Sequence, residues 1–66
     1  MASKGLNEPL TKRLAGLVRD ERGLAAGIRR IADRERADGD VRDVEAAATL
    51  HELNAVRIEQ VIRRLA

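Results

Sequence analysis

The side chains with the most chemical capacity in this sequence are its one histidine, His51, and the carboxylates Glu21 and Glu35. An imidazole can move protons or ligate a metal. Glutamates projecting into a helical bundle can hold a di-iron pair when they join Glu-x-x-His motifs. That spacing is missing, because the residue three before His51 is Ala48. The 66 residues include no cysteine, so thiolate metal sites and disulfides are excluded. No Gly-rich phosphate loop or serine triad is present. The residues therefore predict no metal, no cofactor and no catalysis by this chain alone. Glu21 and Glu35 read as polar seam positions that pair with arginine or set register. His51 reads as a partly buried histidine satisfied by a neighbour.

Two charged clusters remain. Asp38, Asp40, Asp43 and Glu45 crowd one turn, and four acids there suit a hard cation such as magnesium, which needs only one or two protein carboxylates. Lys12, Arg13, Arg19, Arg63 and Arg64 are candidates for phosphate contacts, with Arg22 and Arg57 nearby. Across the chain, however, 13 basic and 11 acidic residues alternate, for a formal charge of +2. Such mixing suits a solvated, ion-paired helix surface better than a nucleic-acid face. Phe, Tyr and Trp are absent, which removes base-stacking platforms and aromatic interface anchors.

The elements that position these groups follow from apolar spacing. Asn7, a favoured N-cap residue, precedes Glu8 and Pro9, and a proline is tolerated in a first helical turn. A first helix is predicted over about 8–37, after a short flexible leader at 1–6. Its apolar spacing runs Leu10, Leu14, Leu17, Glu21, Leu24, Ile28, Ile31 and Glu35 in alternating steps of four and three. A break or kink near Gly23, giving a three-helix fold, is the alternative reading of the glycines, but it would lose that phase. Asp38-Gly39-Asp40 is a turn signal, and Asp40 can cap a second helix over about 41–64. The second stripe is Val44, Ala48, His51, Ala55, Ile58, Ile62 and Leu65. Two helices joined by a short turn run antiparallel. Folding about Gly39 sets Leu14 against Leu65 and Ile28 against His51, within a few residues.

The predicted fold is thus all-α, an antiparallel two-helix hairpin. Leu50, Leu53 and Val56 point away from its seam, and Gly16, Gly23 and Gly27 flank the first helix where another helix could approach. A single chain of this size rarely builds a sufficient core. Completion as a four-helix bundle by dimerisation is the expectation. No apolar run suggests a signal peptide or membrane span, so the expected location is cytoplasmic.

Around Gly39-Asp40-Val41-Arg42-Asp43 the sequence resembles the N-terminal coiled-coil finger of Gre-type transcript-cleavage factors, whose tip is Gly-Asp-apolar-polar-acid between antiparallel helices. Leu10-Thr11 and Arg57-Ile58-Glu59-Gln60-Val61 are similar to the start and the returning arm of that domain. DksA-type factors share the acidic tip. The resemblance implies a finger entering the secondary channel of RNA polymerase, with Asp40 and Asp43 helping to hold a catalytic magnesium that belongs to the polymerase. The Asn that follows the second tip acid in Gre factors is Val44 here, the next Tyr is absent, and both arms are shorter. Leu50-His51-Glu52-Leu53-Asn54-Ala55 resembles the histidine helix of phosphotransfer domains, but a seam histidine is not the exposed one those domains use.

The leading expectation is a non-catalytic helical module that self-associates or docks on a protein in a regulatory role. The alternatives are an acidic-tipped finger acting on RNA polymerase and a basic bundle that binds nucleic acid.

Overall fold

The structure, a computed structural model, describes residues 2–65, with side chains from residue 7 onward. Two helices pack lengthwise as a hairpin, α1 over Ala2–Glu35 and α2 over Arg42–Leu65. The result is a rod with Cα extents of 56 × 14 × 9 Å.

α1 begins at Ala2, not at about Glu8, so the residues expected to form a leader continue the helix. Pro9 lies inside it. Its missing N–H removes one intrahelical bond, and the helix is propagated on both sides. Asn7 is therefore not the N-cap. Its Nδ2 donates to the Leu65 carbonyl at 3.1 Å, so it caps the far end of α2 instead. That bond satisfies one of the carbonyls a helix C-terminus leaves open. α1 runs unbroken through Gly16, Gly23 and Gly27 and ends at Glu35, before the expected Ala37. The Glu35 carbonyl accepts the Asp38 N–H at 3.0 Å. Gly39 has no positive φ, so the turn does not depend on its left-handed freedom.

Burial shows which residues form the seam. On α1 it follows Thr11, Leu14, Val18, Glu21, Ala25, Ile28 and Ala32, again in steps of three and four. Leu14, Glu21 and Ile28 stand where the sequence placed them. The positions between them do not: Val18, Ala25 and Ala32 are buried, while Leu10, Leu17, Leu24 and Ile31 are 44%, 49%, 53% and 45% exposed. On α2 the predicted stripe holds throughout, extended by Val41. Naming the inner columns a and d gives a for Val18, Ala25 and Ala32 with Val41, Ala48 and Ala55, and d for Leu14, Glu21 and Ile28 with Val44, His51 and Ile58.

Ala25, Ala32, Ala48 and Ala55 are 0–1% exposed. Alanines at those levels let two helix backbones come close, and they leave room for little else. Among the described residues no large side chain is fully buried.

Ala48→Leu should force methylenes into this closed seam and cost about 1–3 kcal/mol in urea unfolding. Gly23→Ala should instead stabilise by about 1 kcal/mol, because a Cβ at Gly23 meets nothing within 4 Å. A neutral Ala48→Leu would contradict the seam placement.

Candidate functional site

The two sides of the seam differ in chemistry. On one side, column e of α1 supplies Arg22 and Arg29, continued by Arg36 just past its end, and column e of α2 supplies Glu59, Glu52 and Glu45. They pair as a ladder: Arg22–Glu59 at 2.6 Å, Arg29–Glu52 at 2.5 Å and Arg36–Glu45 at 3.0 Å. Each step advances seven residues on one helix and retreats seven on the other, which fixes the antiparallel register. The signal was present in the sequence as two seven-residue charge repeats of opposite sign, but only their pairing exposes it.

The opposite side carries column g. On α1 this is Leu10, Leu17, Leu24 and Ile31, and on α2 it is Ala47, Asn54 and Val61. Leu50 borders the same side. The large members of this group are between 42% and 56% exposed. Of the other residues expected on an interaction surface, Leu53 and Val56 are exposed but turn progressively away from this strip toward the outer face of α2. Gly16 and Gly23 lie opposite the seam of α1, since that seam is rotated one column from the expected one. Gly27 lies beside column g, and Arg30 Nη2 is 3.7 Å from where its Cβ would be.

Of the groups with chemical capacity, Glu21 and His51 are engaged inside the seam and Asp40 at the exposed tip. His51 Nδ1 stands 2.5 Å from Glu21 Oε2, both part-buried. The expected satisfied histidine thus has a named partner. Glu21 pairs with His51 rather than with arginine, and His51 meets Glu21 rather than Ile28. Glu35 is exposed at the end of α1, outside the seam. Asp40 caps α2 as expected, accepting the Arg42 N–H at 2.9 Å. Its carboxylate also receives Nε and Nη2 of the Arg42 side chain, at 2.9 and 2.7 Å to Oδ2. Asp43 stands exposed in the first turn of α2, with no ion pair among the described residues. No three His, Asp or Glu side chains gather to hold a metal ion among the described residues.

The basic candidates are all exposed, Lys12, Arg13, Arg63 and Arg64 toward the open end of the rod and Arg19, with Arg57, near its middle. Lys12, Arg19 and Arg63 occupy one outer column and Arg13, Arg57 and Arg64 another, so they do not share a single face. Arg22 is committed to the ladder. No described helix is long and apolar enough to cross a membrane.

The chain matches no protein-family model, no curated protein and no solved structure.

Two carboxyls titrate below their usual range. The Arg42 side chain, and then its N–H, hold Asp40 down, and the hydrogen bond from Arg29 does the same for Glu52. A carboxyl lowered by folding contributes fully above its unfolded pKa of about 4, and that contribution is lost as pH falls through the lower folded value. Thermal unfolding should therefore move to lower temperature below about pH 4. Glu52→Gln should lower the melting temperature at pH 7 and have a smaller effect at pH 2. An equal effect at both would show that the Arg29 contact contributes nothing. At the seam, Glu21→Leu with His51→Leu should raise stability by about 1–4 kcal/mol, since part-buried polar pairs seldom outperform packed aliphatic ones. Either single replacement should destabilise.

Proposed function

We propose that this chain is a non-catalytic helical interaction module that completes its core by association through the column g flank, with a second copy as the primary partner and a regulatory role. The carrying observation is the width of the apolar sector on α1. Column g is apolar throughout, with Leu10, Leu17, Leu24 and Ile31, and it flanks the seam of columns a and d, which are the only ones the hairpin buries. A two-column stripe suffices for a pair of helices, whereas a three-column sector suits the interior of a bundle.

The size of the core supports the same reading. A 66-residue chain without cysteine, whose most buried side chains are largely alanines, has little apolar area to hold it together alone. Assembly supplies the missing area by mass action. Two of the chemical groups are also engaged within the chain: part-buried His51 by Glu21, and exposed Asp40 by Arg42. What the hairpin leaves uncovered along one side is an aliphatic strip.

Light scattering on a sizing column tests this. The wild type should elute at a multiple of its 7.3 kDa chain mass, and Leu17→Asp with Leu24→Asp should return it to the single-chain mass. Leu53→Asp with Val56→Asp, off the strip, should leave the mass unchanged. A wild type that is monomeric at several hundred micromolar, or a charged strip that still assembles, would overturn the reading.

A further inference from the structure

The charges that border the apolar strip restrict how a second copy can lie on it. Column c runs along the outer rim of column g on both helices. On α1 it holds Arg13, Asp20, Gly27 and Arg34, and on α2 Asp43, Leu50, Arg57 and Arg64. Unlike the ladder charges, the charged residues of these columns make no ion pair among the described residues and are all exposed.

Their heights along the rod follow from the seam contacts. His51 touches Glu21 and the adjacent Glu52 touches Arg29, so residues 51 and 52 stand level with the middle of that interval, near Ala25. Stepping by seven in opposite directions, Asp20 stands level with Arg57, Gly27 with Leu50, and Arg34 with Asp43. Within one chain these side chains are on opposite outer rims and do not meet. A rotation about an axis parallel to the rod preserves every height. It brings the α1 rim of one copy to the α2 rim of the other, and does so at two edges.

We infer that two copies pack their apolar flanks about a two-fold axis parallel to the rod. α1 of each lies antiparallel to α2 of the other, Asp20 faces Arg57, Arg34 faces Asp43, and Leu50 stands over the bare backbone at Gly27. This rests on the proposed self-association and specifies its geometry. All four helices then have antiparallel neighbours, and the strip from Leu10 to Ile31 is covered along its length. The rival two-fold, perpendicular to the rod and centred on the same strip, would set Asp20 beside Asp20 and Arg57 beside Arg57 of the second copy. Like charges in contact across an interface are costly. The parallel axis has one kind of mismatch, Arg13 level with Arg64 at the open end, repeated at both edges.

Charge reversal separates the two. Asp20→Arg alone and Arg57→Asp alone should each weaken the dimer at least about tenfold, since each reverses two edge pairs. The double variant Asp20→Arg with Arg57→Asp should return to within about threefold of the wild type. Arg64→Glu should tighten association. As an independent readout, the cysteine-free chain allows Gly27→Cys to be mixed with Leu50→Cys under air, and disulfide-linked dimers of one chain of each kind should form. A dimeric wild type whose double variant is not rescued, or self-linking of Asp20→Cys in place of the mixed pair, would overturn this arrangement while leaving self-association standing. A monomeric wild type would overturn both.

Discussion

The hairpin is governed by the alanine layer of its seam. Ala25, Ala32, Ala48 and Ala55 are the most deeply buried side chains, and their size lets the helices lie close together. Close approach leaves the four alanine positions of the a column with no room for leucine. The larger aliphatic residues of α1 are accordingly displaced to the neighbouring column. Burial stabilises in proportion to apolar area, about 25 cal/mol per Å², and an alanine offers little of it. A seam of this kind gives definite geometry from a modest driving force. That imbalance is the physical reason to look for the rest of the core outside the chain.

Register has to be supplied by something other than bulk, because alanine faces slide easily past one another. The Arg–Glu ladder, the Glu21–His51 contact and the Asn7 bond to the Leu65 carbonyl supply it at separate heights along the rod. The ladder pairs are largely solvent-exposed, so their individual contributions are small. Their value is that a slip of one heptad leaves an end pair unmatched. Placing all this charge on one side of the seam also leaves the other side free of it. Asymmetry between the flanks follows directly from how register is encoded.

Much of this was legible in the sequence. Two helices, the turn at Asp38–Asp40, the Asp40 cap and the whole inner stripe of α2 follow from spacing and residue type. The phase of α1 does not. Leu14, Glu21 and Ile28 belong to either of two heptad seams, one completed by leucines and the other by Val18, Ala25 and Ala32. Counting large apolar residues selects the first. The hairpin uses the second because arginines one column further on meet the glutamates of α2, and because alanines face alanines. Asn7 was misread for a related reason. A local signal, Asn-Glu-Pro, suggests a helix start, but the asparagine is spent on a tertiary contact 58 positions away, which no local pattern contains.

The leucine seam read from the sequence is nonetheless a real feature of α1. Columns d and g together form the sector that a four-helix bundle would turn inward, and columns a and d form the sector the hairpin itself turns inward. One helix is patterned for two neighbours, and each pattern is complete on its own. The proposed dimer uses both at once. It also gathers the basic open ends, including Lys12, Arg13, Arg63 and Arg64, and opposes itself there. That repulsion is long-ranged and is screened beyond about 8 Å at physiological salt. The rim pairs act at contact distance on a partly covered edge, where screening is weaker. The balance between them sets the strength of the assembly, while the rim pairs alone set its direction.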